Sequence, residues 1–484
     1  MLFNSFRFAA FFSIFFALYW FVFNKNLKLQ NLFLLIGSYV FYAFWDLHFL
    51  YVIVTYSLLI FIIGRSMFKA QGDKKKKRLL LLGLFFGLFC LVIFKYFNFF
   101  IDSGKIIFSF FHFEVSHFAI NLILPLGLSF YVLRGLSYLI DSYYEKIEPT
   151  NDRVVFFSYI AFFPSLISGP IDRPSELIPQ LENKRFFLYQ DGIDGFRQIL
   201  WGLFKKMVIA NNCDLITKKI FEEYPSMPAS TILLGLFFSI IQVYTDFSGY
   251  SDMAIGFARM LGFRIAKNFE FPFFATNIAE FWRKWHMSFT NWMTEYVFKP
   301  TSFYLRKYGQ LGLGLSVLLT FILVGLWHGA NWTFVIFGFL HGCYYLPLFF
   351  SGRLKSLGQK SEEKFLNKWK NIFSMIFTFI LVMFTSGITK FKTITLAYYY
   401  YKSLFSLSLF SLPNFPTGHM HMFMTFLFIV LLLFFEWLQR SKGHVLQAEF
   451  FKRPILSYSI YIVIIAIIAL FSPAYSPDYI YFQY

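Results

Sequence analysis

Long apolar segments recur along the whole chain, and they constrain its fold more than any other feature. One runs from Leu313 to Phe350, and another covers residues 79–99. Of the 484 residues, 57% are hydrophobic and only 14% are charged, and the mean hydropathy is +0.57. This composition excludes an ordinary soluble protein. The sequence predicts a polytopic membrane protein built entirely of α-helices.

Many of these segments carry few enough charges to be candidate membrane spans. They are 8–23, 31–46, 50–63, 79–99, 119–140, 154–170, 195–212, 229–247, 313–328, 332–350, 371–386, 420–438 and 455–471. Several are short for a hydrocarbon layer about 30 Å thick, which indicates tilted, paired or re-entrant helices. We expect roughly eleven crossings. With no internal repeat, residues 1–484 are predicted to form one membrane domain, with a working core at 124–345.

The net charge of +18 does not indicate a nucleic-acid partner, because the basic residues lie mostly in short loops between apolar segments. The run Lys74–Arg78 and the loops 353–370 and 440–453 are predicted to face the cytoplasm, and the tail from Ser472, which lacks Lys and Arg, the outside. The first apolar run is bulky and has no small-residue cleavage site after it, so we expect a retained helix.

Polar residues concentrate in the centre of the chain. Leu124-Pro-Leu-Gly127 is predicted to open a helix, and Phe163-Pro164 with Ser168-Gly-Pro170 to break another. Between Ala275 and Pro300, charged residues alternate with Trp and Phe. That segment is too charged to span, so we expect a helix that lies at the membrane interface or dips partly inward, with its Trp residues at headgroup level and Glu280 paired with Lys284.

His328 lies inside the apolar run that begins at Leu313. An ionisable side chain at this depth is by default a functional candidate, because it must line a wet cavity or find hydrogen-bonding partners. The alternative is a histidine that only ties two helices together. The three cysteines, Cys90, Cys213 and Cys343, are isolated and have neither metal-site nor disulfide spacing, so they are interpreted as small buried hydrophobic residues.

Two polar signatures carry a family likeness: Glu280-Phe-Trp-Arg-Lys-Trp-His-Met-Ser288 and Gly325-Leu-Trp-His-Gly-Ala-Asn-Trp332. Further blocks at 124–141, 163–173 and 246–253 agree in order. Together they resemble the membrane-bound O-acyltransferases, and most closely the bacterial alginate O-acetylase branch. The resemblance implies a ring of tilted helices around a thin centre, with His328 matching the catalytic histidine and His286 matching a second polar position.

Some positions depart from that branch. Thr294-Glu295 stands where the branch usually has Arg-Asp, and Lys299-Pro300 replaces a double glycine. The segment Thr385–Lys392 lacks a Trp and a Phe-Arg pair that are usual after that span. These changes leave the implied reaction class intact and leave the acceptor polysaccharide open.

Acyl transfer to a hydroxyl requires a base, and imidazole has a suitable pKa range, so His328 is the predicted general base. If the segment stays helical, Asn331 shares its face and could orient the ring or the acyl carbonyl, although packing explains it as well. Trp327, Trp332 or His286 could supply an oxyanion donor.

No Ser or Cys lies near His328 along a continuous helix, since Cys343 would be about 22 Å and Ser316 about 18 Å away. Direct transfer, or relay through another protein, is therefore favoured over a local covalent intermediate. Metal ligation by His328, His286 and Asp246 is not expected, because their spacing has no metal signature.

The donor implied by the resemblance is acetyl-coenzyme A or another acyl thioester, with no bound cofactor. Lys205, Lys206, Arg283 and Lys284 are the candidates for binding its phosphates, with helix-flanking anchors as the alternative. Asp246, Asp252 and Arg259 are expected to form buried ion pairs.

The predicted function is transfer of an acyl group, most simply acetyl, to a cell-surface or exported polysaccharide such as alginate, in a bacterial inner membrane and with an exported acetyltransferase partner. Two alternatives stay open. One is D-alanyl transfer from a carrier protein to teichoic acid, and the other is a lipid or glycan transporter that makes no bond.

Overall fold

The computed structural model describes residues 1–110, 123–351, 365–440, 443–447 and 454–474 and the single residues 477 and 479. All regular secondary structure in these residues is helical, which confirms the predicted all-helical class. Parts of the predicted span 119–140, most of the predicted cytoplasmic loop 353–370, parts of 440–453 and most of the tail after Ser472 lie outside the described residues.

The α-helices follow one another closely along the chain. They are α1 (Phe6–Ala17), α2 (Leu27–Ala43), α3 (His48–Lys69), α4 (Asp73–Leu91), α5 (Phe97–Phe110), α6 (Leu128–Tyr143), α7 (Arg153–Ile160), α8 (Phe163–Leu166), α9 (Pro174–Glu182), α10 (Tyr189–Leu203), α11 (Asn211–Glu223), α12 (Ala229–Met260), α13 (Ile278–Lys284), α14 (Met287–Met293), α15 (Lys299–Leu305), α16 (Gly309–His328), α17 (Trp332–Phe350), α18 (Phe365–Gly387), α19 (Ile394–Ser403), α20 (His419–Leu438) and α21 (Pro454–Phe471). Wider π-helical segments are Leu18–Val22, Val92–Tyr96, Phe204–Ala210 and Thr294–Phe298. Tighter 3₁₀ segments are Tyr224–Ser226, Pro272–Phe274, Arg306–Tyr308, Ile388–Lys390 and Leu407–Phe410.

Within the described part of the chain, seven helical stretches are long and apolar enough to cross a membrane. They are His48–Lys69, Asp73–Lys105, Ala229–Met260, Met287–His328, Trp332–Phe350, Trp369–Lys390 and His419–Leu438. Each coincides with a predicted span, so the chain is a multi-pass membrane protein. Shorter apolar helices are Phe6–Val22, Leu27–Ala43, Arg153–Leu166 and Ser457–Phe471. The predicted total of roughly eleven crossings stays a prediction.

The residues pack into two compact units. Unit 1 comprises Met1–Gly195 and Ala254–Ala266, and unit 2 comprises Phe196–Met253 and Lys267–Tyr484. Compact packing units need not be independent folding domains, so the prediction of one domain over 1–484 stays a prediction.

In unit 1 the two proline-containing blocks lie at helix boundaries as predicted. One opens a helix, and the other breaks one. Gly127, with φ of +70°, precedes α6, and the chain from Ile167 to Arg173 is non-helical. Behind this break the fully buried Arg134 guanidinium lies 3.3 Å from a carboxylate oxygen of Asp172. Irregular backbone within a membrane must be surrounded by protein, and this ion pair anchors the non-helical segment inside unit 1.

In unit 2, α16 and α17 form an antiparallel pair with very close backbones. A Cβ added at Gly325 would lie 2.1 Å from the carbonyl oxygen of Phe334, and one at Gly338 would lie 2.2 Å from that of Phe321. Only glycine fits at these two contacts, as is common where membrane helices approach closely. The hairpin fixes the position of His328 at its turn.

The segment expected at the membrane interface is instead two short helices, α13 and α14. Trp282, Trp285 and Trp292 are 3%, 7% and 6% exposed, so they pack inside the protein, and their position at headgroup level stays a prediction. Alternating aromatic and charged residues look amphipathic in sequence, but here neighbouring helices cover the aromatic side. The predicted pair of Glu280 and Lys284 is confirmed at 2.7 Å.

Candidate active site

His328 is the last residue of α16 and faces the interior of unit 2. Gly329 follows it with an extended backbone, and the chain turns back into α17 at Trp332. The imidazole is partly exposed and contacts the ring of Phe289, with centroids 5.6 Å apart. Because α16 ends at His328, no further helical turn covers this side chain, and its ring can line a cavity.

His286 is brought close to His328, as the family resemblance implied. It is fully buried, and its ring centroid is 6.0 Å from that of His328. Phe289 stacks on one side of the His286 ring at 4.9 Å, and Phe247 meets it edge-on at 4.6 Å. Two imidazoles at this separation in an apolar setting do not both carry a charge, because the repulsion and the burial add.

The backbone around His286 is fixed by Asn268. The Met287 N–H donates to the Asn268 carbonyl oxygen at 2.8 Å, and the Ser288 hydroxyl donates to the Asn268 side-chain oxygen at 2.9 Å. The Asn268 amide in turn donates to Ser251 at 3.0 Å. This network determines where the His286 ring points, so the position of the second histidine depends on residues outside the two signatures.

A small cavity of about 60 Å³ lies beside His328. Its walls are aromatic and aliphatic with a few polar groups, and its described lining residues are Val243, Phe247, Phe281, Trp282, Trp285, His328, Phe334, Phe337, His341, Val382, Ser386 and Thr389. One water molecule needs about 10–15 Å³ of such space, so the cavity holds a few waters or a group of a few heavy atoms. A small acyl group fits this volume.

Asn331 does not share a helix with His328, because α16 ends before it, so the condition for its predicted role is not met. Its side-chain oxygen accepts from the Thr333 N–H at 3.0 Å, and its amide donates to the Lys392 carbonyl oxygen at 2.7 Å. Asn331 therefore caps α17. Of the predicted oxyanion donors, Trp327 is buried with its ring 5.6 Å from His286, whereas Trp332 is 47% exposed on the outside of α17.

Two of the predicted donor-binding lysines lie inside unit 2. Lys206 pairs with Asp246 at 2.7 Å, and Lys205 pairs with Asp252 at 2.5 Å. Both lysines are only 3% exposed, so in this structure they do not form an exposed mouth for phosphates. The expected ion pairs of Asp246 and Asp252 are confirmed, with Asp246 buried and Asp252 partly buried, and Arg259 pairs with Asp194 in unit 1.

The other two donor-binding candidates lie on α13. Arg283 is exposed, and Lys284 lines a polar cavity of about 490 Å³ together with Glu280 and Arg440. Burial alone would raise the pKa of Glu280, but hydrogen bonds from Lys284 and Thr276 outweigh it and lower the pKa. Because Lys284 is already paired, its role toward a donor phosphate stays a prediction.

The cavity contains groups that the sequence reasoning missed. His341, Ser386 and Thr389 line it together with His328. The rule that selected His328, an ionisable residue in an apolar span, would also have selected His341. Ser386 comes from α18 and has no sequence signal. Cys343, as one possible nucleophile, is not among the described residues that line the cavity.

These features define a class: a multi-pass membrane protein, all-helical in its described residues, with two adjacent histidines, one of which lines a small cavity. Residues 150–389 match the model of the MBOAT, or membrane-bound O-acyltransferase, family. The probable alginate O-acetylase AlgI of Pseudomonas putida is 34% identical over 403 residues, which cover 82% of this chain and 78% of that protein. The chain belongs to the membrane-bound O-acyltransferase family and is an O-acyltransferase.

Other relatives name different acceptors. The peptidoglycan O-acetyltransferase of Helicobacter pylori is 32% identical over 66% of this chain and 64% of its own length. The teichoic acid D-alanyltransferase of Bacillus subtilis is 28% identical over 54% of this chain and 68% of its own length. Relatives of this family thus act on more than one cell-surface polymer.

Proposed function

We propose that this chain moves an acetyl group from a cytoplasmic thioester, such as acetyl-coenzyme A, to hydroxyl groups of an exported or cell-surface polysaccharide. His328 is the general base, and His286 supports it. The observation that carries the proposal is the pair of imidazoles, 6.0 Å apart, with His328 also lining a cavity of about 60 Å³. The protein would act in a bacterial inner membrane with an exported acetyltransferase partner.

The reaction balances without a cofactor. The acceptor hydroxyl gives its proton to His328 as its oxygen bonds to the acyl carbon. The C–S bond then breaks, and the leaving thiolate takes the proton from the imidazolium. His328 returns to its neutral form, ready for the next cycle.

D-alanyl transfer is the second candidate, because two relatives are named as teichoic acid D-alanyltransferases. A D-alanyl group carries an ammonium, which needs a partner when it is desolvated. Among the twelve described residues that line the cavity there is no carboxylate. The lining offers an ammonium only uncharged partners, namely aromatic faces, hydroxyls and imidazoles, so it favours an uncharged acetyl group.

The test uses the purified full-length protein in liposomes with radiolabelled acetyl-coenzyme A and oligosaccharide acceptors. Removal of a general base is expected to lower acetyl transfer about 10²–10⁴-fold in His328→Ala. Folding is checked by thermal denaturation, and His421→Gln, which changes a histidine outside the cavity, serves as the control.

Three results would count against the proposal. Full acetyl transfer by a folded His328→Ala variant would exclude His328 as the general base. Activity only with a D-alanyl carrier protein would select the second candidate. Movement of lipid or glycan across the liposome membrane without acyl transfer would favour a transporter.

A further inference from the structure

His341 lies on α17, in the middle of an apolar helix, and no function has yet been given to it. Its side chain is fully buried, and it lines the same small cavity as His328. Phe337 lies between the two histidines on that wall, with centroids 6.3 Å from His328 and 4.6 Å from His341. The cavity therefore has two imidazoles on its surface, one at the turn of the hairpin and one along α17.

The hydrogen bond from Trp282 fixes the protonation of His341. The Trp282 indole nitrogen lies 3.2 Å from Nδ1 of His341. An indole N–H only donates, so Nδ1 must accept and cannot itself carry a proton. The ring is then neutral with its proton on Nε2. Burial among aromatic rings acts in the same direction, because it disfavours an imidazolium.

The Nε2–H of His341 is thus a hydrogen-bond donor in a buried place. No described residue accepts from it within hydrogen-bonding distance. A buried donor normally has a partner, and an unpaired donor on a side chain that lines a cavity is suited to a ligand with an acceptor oxygen. The carbonyl oxygen of an acyl group is such an acceptor.

We propose that His341 is an oxyanion donor of this enzyme: its Nε2–H donates to the carbonyl oxygen of the acyl group that is transferred. This inference rests on the proposed function. As the hydroxyl oxygen bonds to the acyl carbon, the C=O electron pair moves to the oxygen, and His341 stabilises that charge while keeping its proton. When the C–S bond breaks, the pair returns to the carbonyl and the hydrogen bond weakens.

Trp282 is a positioning residue in this arrangement. Without its indole N–H, the two neutral tautomers of His341 would become closer in energy, and part of the population would present an acceptor to the acyl oxygen. Trp282→Phe keeps an aromatic ring among the neighbours that meet Trp282 edge-on and removes only the indole N–H as a donor. That substitution therefore tests the tautomer while keeping an aromatic side chain at this position.

The experiment measures kcat and KM for acetyl transfer in liposomes with four variants. His341→Phe keeps a ring and loses the donor, so kcat is expected to fall about 10²–10³-fold with little change in KM. His341→Gln retains an N–H and an acceptor for Trp282, so kcat should stay within about tenfold of the wild type. Trp282→Phe should lower kcat severalfold. His421→Gln, outside the cavity, should leave both constants unchanged.

A purely structural role for His341 predicts a lower Tm with an unchanged kcat in the folded fraction. The inference is overturned if a folded His341→Phe protein has a kcat within about threefold of the wild type. If His341→Phe does not fold, His341→Asn decides, because its shorter amide does not reach the cavity, and an unchanged kcat there overturns the inference too. Full activity of His328→Ala would instead remove the proposed function, whereas an inactive His328→Ala with an active His341→Phe would remove only this inference.

Discussion

His286 has an unusual backbone for a residue beside a reaction centre. Its φ and ψ are +44° and +51°, in the left-handed region, and it starts α14. Non-glycine residues pay a conformational cost there, which the surrounding structure must over-determine. The two hydrogen bonds from Met287 and Ser288 to Asn268 do this. The structure therefore holds an unfavourable backbone conformation at the residue whose ring lies next to that of His328.

Substitution of His286 by Asn tests the ring separately from the turn. Asn enters the left-handed region more readily than most residues, so α14 should still start at the same place. We expect Tm to stay within a few degrees of the wild type while acetyl transfer falls at least about tenfold, because the amide cannot act as an acid or base. Thermal denaturation and the liposome assay measure the two effects. Full activity of this variant would show that the imidazole of His286 is not needed.

Ser386 decides whether a covalent intermediate is used. Its hydroxyl lines the cavity with His328, a proximity that chain spacing alone could not reveal. If transfer is direct, Ser386→Ala should keep kcat within about threefold, since no bond to this residue forms. Thr385→Val, which removes the neighbouring hydroxyl that donates to Tyr344, is the matched control. Loss of about 10³-fold activity together with loss of a trapped acyl-enzyme would instead establish a nucleophile.

Among single residues, the sequence identified the site residues that belong to recognisable motifs and missed those that do not. His328 and His286 are adjacent, as the resemblance implied. Asn331 was misjudged because a helix end between it and His328 cannot be read from apolar residues alone. Lys205 and Lys206 looked like helix-flanking charges, but their burial depends on Asp252 and Asp246, forty or more residues away in sequence.

Among the elements, the hairpin of α16 and α17 places His328, the proposed base. Its two helices approach so closely that at Gly325 and Gly338 the backbone of the other helix fills the space a side chain would need. The spans 313–328 and 332–350 were predicted correctly because apolar length marks a membrane helix. Their close approach was not predicted, since scattered glycines in a membrane helix do not say which helix they contact.

Gly338→Ala should disturb this hairpin, and Gly342→Ala on the same helix should disturb it less. The new Cβ at Gly338 would lie 2.2 Å from a backbone oxygen, so the helices must separate, whereas at Gly342 it meets a flexible Leu318 side chain at 3.0 Å. Alanine favours a helix over glycine by about 1 kcal/mol, yet the clash should outweigh this and cost about 1–3 kcal/mol net at Gly338. Denaturant unfolding in detergent and the transfer assay measure the difference. Equal stability of the two variants would contradict the close contact.

Across the whole molecule, charge separates into two groups. Several buried charges are paired inside the helical units, as Lys206 is with Asp246, because a lone charge is expensive there. Exposed basic residues gather near helix ends, as Lys74 and Lys75 do at the start of α4, and composition alone was enough to predict a multi-pass protein. The number of crossings could not be predicted as firmly, because short apolar helices such as Arg153–Leu166 are similar in composition to spans and need not cross.

The positive loops also predict which side each end of α20 faces. Ser411, before this helix, and Arg440, after it, are both exposed. Basic residues near 440–453 favour a cytoplasmic position for the end of α20. The cysteine of Arg440→Cys should therefore react with an impermeant maleimide only in inverted vesicles. The cysteine of Ser411→Cys should react only in intact spheroplasts. The variants are made with Cys90, Cys213 and Cys343 replaced by Ala, and transfer activity confirms that each protein is folded. Labelling of both positions from one side would mean that α20 does not cross, and the cytoplasmic thioester donor of the proposed reaction would then need a different entrance.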